Sequence, residues 1–174
     1  VMKEAEEAAG TSLANLVGVH VRNLPLNVDI ANVAHDREYS EKDQVEMDFW
    51  RAKANPQAFI DEMKQIDTDN PGIVFFVSTD SEDSFQMIKN AFPAKQVVSI
   101  PKQGCDSRTR VKGCIALALA DAMCLGRTRL LLGSNWSSFT ELAQRLGVKR
   151  TRLAGVDFGD LSKDMSAIAK MHGL

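Results

Sequence analysis

The chain of 174 residues is poor in cysteine, carries no large excess of charge and has no long apolar run. Its 3 cysteines, Cys105, Cys114 and Cys124, form an odd set and so give no complete disulfide framework; without a CxxC pair the usual zinc spacing is missing too. Cysteine usage leaves the compartment open. Lys plus Arg number 21 against 23 Asp plus Glu, a formal net charge of -2, which excludes a strongly basic nucleic-acid binder. The longest mainly apolar stretch, Cys114 to Leu125, contains Asp121 and is too short to span a bilayer, so no membrane contact is expected from this segment. No internal repeat, low-complexity tract or secretory leader pattern is visible. No GxGxxG follows the first strand-like run and GxxxxGK[ST] is absent, which disfavours dinucleotide dehydrogenases and P-loop NTPases.

What remains is ordinary globular composition, with 44% hydrophobic and 25% charged residues. That is enough for one domain with a real core, spanning 1–174. The opening Val1, rather than Met, predicts a piece of a longer protein.

Five short β-type runs alternate with helical patterns. Leu16 to Arg22, Ile73 to Ser78, Gln96 to Ile100, Thr128 to Leu132 and the weaker Arg152 to Val156 are the strands. Ile73 to Ser78 is apolar without alternation, as expected for a strand covered on both faces. Helices are predicted over Glu41 to Lys53, onward from Asn55-Pro56, and over Ser81 to Ala91, Arg110 to Leu125, Ser138 to Leu146 and Ser162 to Met171. Ser138 and Glu141 have capping-box spacing. The alternation predicts a Rossmann-like α/β fold: a doubly wound parallel sheet, order 3-2-1-4-5, with helices on both faces. In that order the first and fourth strands are neighbours, and the crevice beyond their carboxyl ends is the expected ligand site.

His20 and Arg22 share one side of the first strand, near its mouth. The planar fork of Arg22 suits phosphate; the alternative is a pairing with a surface carboxylate. His20 is either a buried, hydrogen-bonded histidine or a ligand contact. Gly133-Ser134-Asn135 leads into a helix start at Ser137-Ser138, whose hydroxyls and N–H groups form an anion site or a plain cap. Asn135-Trp136-Ser137 is also a glycosylation sequon, expected to be bare because a glycan would block the crevice. Asp80 either caps its helix or touches a ribose or base, and Asp121 reads as a solvated helix position. Asp67-Thr68-Asp69 reads as a turn at the amino edge of the sheet. Arg108, Arg110 and Lys112 crowd a helix start, either pairing with Asp106 or facing an anion. The long loop from Asn23 to Ser40 contains His35-Asp36 and is expected to be the most mobile long segment.

Three pieces together carry a resemblance: Gly18-Val19-His20-Val21-Arg22, Phe75-Phe76-Val77-Ser78-Thr79-Asp80-Ser81, and Ala120-Asp121-Ala122-Met123 through Gly133-Ser134-Asn135-Trp136-Ser137-Ser138-Phe139. Their order and spacing resemble the carboxyl-terminal, donor-binding half of GT-B fucosyltransferases, the group with the alpha-1,6-, alpha-1,2- and protein O-fucosyltransferases. Asn23 stands where the alpha-1,6 type has a second Arg. The resemblance implies GDP-fucose as donor and inversion at the anomeric carbon, with no cofactor and no metal. It implies Arg22 on the β-phosphate as the catalytic group, His20 and Asp121 on guanine, and Ser137 and Ser138 on the diphosphate. Asn23, Thr79, Asp80 and Phe139 complete the implied donor set. It further implies a glycan or protein acceptor held by a separate N-terminal domain, and little transferase activity without that domain. The Golgi or secretory lumen would be the compartment in a eukaryote, the cytoplasm in a bacterium. Two rivals keep the same fold: a non-catalytic binding or structural module, in which Arg22 makes an internal salt bridge, and another phosphate-handling α/β enzyme.

Overall fold

The computed structural model describes residues 2–24, 39–102, 104–105 and 111–174. His35-Asp36, most of the loop after Asn23, and Asp106, Arg108 and Arg110 lie outside the described residues. Elements run in the order α1 (Met2–Ala9), β1 (Val17–Val21), α2 (Glu41–Lys53), α3 (Pro56–Asp69), β2 (Phe75–Thr79), α4 (Glu82–Asn90), β3 (Val97–Val98), α5 (Lys112–Leu125), β4 (Leu130–Ser134), α6 (Ser138–Arg145), β5 (Thr151–Ala154) and α7 (Ser166–Met171). The five strands form one parallel sheet in the order β3-β2-β1-β4-β5, as the strand–helix alternation predicts.

β1 lies at the centre, and all five of its residues are buried, because Val17, Val19 and Val21 point to one face while Gly18 and His20 point to the other. Val19 pairs with Val77 on one side and Leu132 on the other, so the three central strands end level. One face of the sheet packs Val17, Val19, Val21, Phe75 and Val77 against Phe59, Ile60 and Met63 of α3 and Ile88 of α4. The opposite face packs Phe76, Val98 and Leu131 against Ala5 of α1, Cys124 and Leu125 of α5 and Ala143 of α6. Gly18 is needed for the second layer to close: a Cβ there would stand 2.7 Å from Thr128 Oγ1 and 3.0 Å from Leu125 Cδ2.

Local chemistry sets several boundaries. Asn55 caps α3 by accepting from the Gln57 N–H, and Pro56 fills the first helical position, as its sequence suggests. α1 escaped the sequence reading. Asp67-Thr68-Asp69 forms the end of α3 and not a turn, with Asp67 accepting from the Gly72 N–H and from Gln96. α7 begins at Ser166, four residues later than its apolar pattern predicts, since Ser162 and Asp164 spend their side chains on local turns. Cys105 and Cys114 are joined in a disulfide, leaving Cys124 as the buried free thiol. No described helix is long and apolar enough to cross a membrane.

Candidate functional site: a cleft at the carboxyl edge of the sheet

A cleft of about 970 Å³ opens at the carboxyl ends of the central strands. Its walls come from the ends of β1 and β2, the segment after β3, one side of α5, and the first residues of α6. His20, Arg22, Thr79, Asp80, Asp121, Ser137, Ser138 and Phe139 all line it. Thus residues far apart in sequence meet where the strand order predicts, with the cleft extending toward β2 and β3.

The β1 mouth is fixed by Ser134 at the end of β4. Its Oγ accepts from the Arg22 N–H at 2.8 Å and donates to the His20 carbonyl at 3.1 Å. His20 is buried; its Nδ1 hydrogen-bonds Thr140 Oγ1 of α6 at 2.8 Å, and its ring lies 4.8 Å from that of Phe139. Burial, then the charges of Arg22 and Lys102, lower its pKa to about 3, so the imidazole is neutral at ordinary pH. Gly133 makes room for this pairing, since a Cβ there would sit 2.4 Å from Thr140 Cγ2.

Arg22 donates from its guanidinium to Asp80 Oδ2 at 3.0 Å, with 30% of its side chain exposed against 7% for Asp80. Asp80 also accepts from the N–H groups of Asn23 and Leu24, both at 3.3 Å. It therefore anchors the chain leaving β1. The capping alternative for Asp80 is corrected: Ser81 is the N-cap of α4, accepting from the Ser84 N–H. Thr79 Oγ1 accepts from the Ser81 N–H. Asn23 does not line the cleft, and its Oδ1 accepts from Ser84 Oγ at 2.9 Å.

α6 starts at Ser138 with Ser137 as N-cap, and the Ser137 hydroxyl makes no capping bond to the helix. The capping box expected from Ser138 and Glu141 is thus displaced by one residue and does not form. Both serines border the cleft at the positive end of the α6 dipole. Trp136, just before, takes a left-handed backbone with φ 55° and is half exposed.

Asp121 overturns the solvated-helix reading. It is 1% exposed. Its Oδ2 accepts from Ser78 Oγ at 2.7 Å and from Lys102 Nζ at 2.6 Å, while Oδ1 is buried and has no hydrogen-bond partner among the described residues. Burial pushes the carboxyl above its ordinary range, opposed by the Lys102 ammonium and by the hydrogen bonds from Lys102 and Ser78. Ile100, Pro101, Leu117 and Ala118 add apolar wall. Sequence reasoning missed Lys102 and the Cys105–Cys114 bridge, both of which border the cleft. The signal for Lys102 was its place just past a strand end, on the functional edge. Among the described residues no group of three or more His, Cys, Asp or Glu gathers as a metal site.

No family model matches the chain, and no curated protein matches it either. Solved structures do. POFUT1 in complex with GDP is 14% identical, with 89% of this chain and 47% of that one covered and a TM-score of 0.54. POFUT1 in complex with GDP-fucose gives 14% identity, 89% and 46% coverage, and a TM-score of 0.53. Fucosyltransferase NodZ from Bradyrhizobium gives 20% identity, 84% and 40% coverage, and a TM-score of 0.48. The POFUT1 likeness is one of fold, and the chain spans less than half the length of the proteins it is similar to.

Proposed function

We propose that the cleft binds the GDP moiety of a GDP-sugar, GDP-fucose, and that the chain is the donor-binding half of an inverting, metal-independent fucosyltransferase. One observation carries this reading: the cleft is lined together by Asp121, a buried carboxylate whose Oδ1 has no hydrogen-bond partner among the described residues, by the Arg22 cation and by the α6 N-terminus at Ser137-Ser138. Guanine presents two neighbouring donors, N1–H and the 2-amino group, that such a carboxylate accepts. Diphosphate suits a guanidinium and helix N–H groups. POFUT1, which shares the fold, was solved with GDP and with GDP-fucose. In the reaction an acceptor hydroxyl attacks the anomeric carbon from the face opposite GDP, the bond from that carbon to the β-phosphate oxygen breaks with its electron pair leaving on GDP, and the hydroxyl proton is released to solvent. Charge develops on departing GDP, and Arg22 with the α6 N-terminus stabilises it in place of a metal ion. The acceptor, glycan or protein, binds a further N-terminal domain, so the segment alone has little transferase activity.

The Arg22–Asp80 pair favours a second reading, the non-catalytic module in which Arg22 is a structural residue. Calorimetric titration with GDP, UDP and ADP separates the two. The donor-site reading expects GDP to bind best; equal or undetectable binding of all three at millimolar concentration overturns it.

A further inference from the structure

The segment after β3 contributes a contact that the donor reading does not use. Lys102 Nζ stands 2.6 Å from Asp121 Oδ2, one third of the Lys102 side chain being exposed against 1% of Asp121. The Cys105 N–H donates to the Lys102 carbonyl at 3.0 Å, closing a turn, and Cys105 is bonded to Cys114 in the first turn of α5. Cys114 lies two helical turns before Asp121 on that same helix. Lysine and carboxylate are therefore tied through one helix by a covalent bridge, and the lysine is not a loose surface cation. Ser78 from β2 takes the same oxygen, so among the described residues both donors fall on Oδ2 and none on Oδ1.

We propose that Lys102 is a specificity-determining positioning residue, which holds Asp121 as a carboxylate by occupying Oδ2, so that the carboxylate keeps acceptor capacity on the cleft side for the N1–H and 2-amino edge of guanine. The inference rests on the GDP reading and assigns the selection of the base to a residue outside the three sequence pieces. Its physical content is a protonation state. A buried carboxyl without a counter-charge takes up a proton, and a protonated carboxyl loses the acceptor-only pattern that rejects other bases. Among the described residues the other ionisable groups near Asp121 are few. From β1, His20 is held down at about 3; on α5, Cys124 is pushed up to about 11 by burial and by Asp121 itself; Arg22 and Asp80 face each other. Ser78 does not titrate.

The test compares GDP with IDP, which lacks only the 2-amino group, so titration of the phosphates cancels in the ratio. Wild type should prefer GDP by roughly tenfold, the scale of one hydrogen bond to a charged group. In Lys102→Met the preference should weaken on acidification and return as pH rises, its midpoint lying above that of wild type because burial then raises the carboxyl with no ammonium to oppose it. Lys102→Arg, which keeps the charge, should retain both preference and profile. Because Lys102→Met strips a buried carboxylate of its partner, each variant is first checked by thermal melting, and a folded Lys102→Arg carries the test if Lys102→Met does not fold. A folded Lys102→Met with the wild-type ratio at every pH overturns the inference while leaving GDP binding intact, and so does a folded Lys102→Arg that loses the preference. Equal loss of GDP and IDP affinity with no pH shift means a structural lysine and overturns it too. Failure of wild type to bind GDP at all overturns this inference and the donor reading together.

Discussion

Replacing Arg22 by Ala perturbs two roles at once, and the structure sets the size of each. The guanidinium pairs with a carboxylate that is 7% exposed, while its own side chain is 30% exposed, so the pair sits between the surface and buried limits. Exposed pairs contribute well under about 1 kcal/mol, and breaking a fully buried one costs about 3–5 kcal/mol. Asp80 keeps two backbone donors at 3.3 Å, which softens the loss. A cost of about 1–2 kcal/mol follows, or a fall in Tm of about 2–8 °C for a chain of this length. This exceeds what an exposed Arg would give, the sequence-based expectation, because Asp80 is buried. The binding loss should be about 1.5–3 kcal/mol, roughly 10- to 150-fold in Kd for GDP. Arg22→Lys should recover part of the stability and less of the binding, since an ammonium lacks the planar fork. Asp80→Asn and the double variant complete a cycle that isolates the ion pair. Melting curves and GDP titrations on the same four proteins provide the assay. A Tm loss beyond about 10 °C with unaltered GDP affinity would refute the donor role and leave Arg22 a purely structural residue.

Further outcomes are expected. His20 has a folded pKa near 3, below its unfolded value of 6.5, so the unfolded chain binds the extra proton in between; stability should fall on acidification by about 1.4 kcal/mol per pH unit below that value, and urea midpoints should show a shallower acid limb in His20→Gln. Asp121, raised by burial, contributes with the opposite sign, its share being lost as pH rises through its folded pKa. Gly133→Ala places a Cβ 2.4 Å from Thr140 Cγ2 and should cost about 1–3 kcal/mol, with Thr140→Ser in the same chain returning most of it by melting. Opening the Cys105–Cys114 bridge, which spans 9 positions, should lower stability by about 2–3 kcal/mol in denaturant titration, and an unchanged midpoint would mean the segment is held by packing alone.

The sheet was legible because its signals are independent of distant contacts: the valines of β1, the apolar run of β2 and the strand–helix alternation point to one topology. The mouth of β1 was legible too, since period-two alternation puts His20 and Arg22 together whatever surrounds them. Asp121 was not. On a helix that is apolar almost all round, no periodicity says which side a single Asp takes, and only the meeting with Ser78 and Lys102 buries it. Asp80 was misplaced for a related reason. Capping is a local rule, but its carboxylate is claimed by N–H groups more than fifty positions away. The odd cysteine count described the set and not the pair within it.

The central place of β1 also bears on how the protein is made. Of the five strands β1 leaves the ribosome first, yet its hydrogen-bonding neighbours, β2 at Phe75–Thr79 and β4 at Leu130–Ser134, follow much later. Until both arrive, this strand of alternating valines has two open edges, the state most prone to pairing with a neighbouring chain. Arg22 gains its Ser134 anchor only when β4 docks, and His20 its Thr140 partner only once α6 has formed. The cleft is therefore among the last features to assemble during synthesis. Substitutions in β4 or α6 that slow docking should lower soluble yield even where the finished protein is stable.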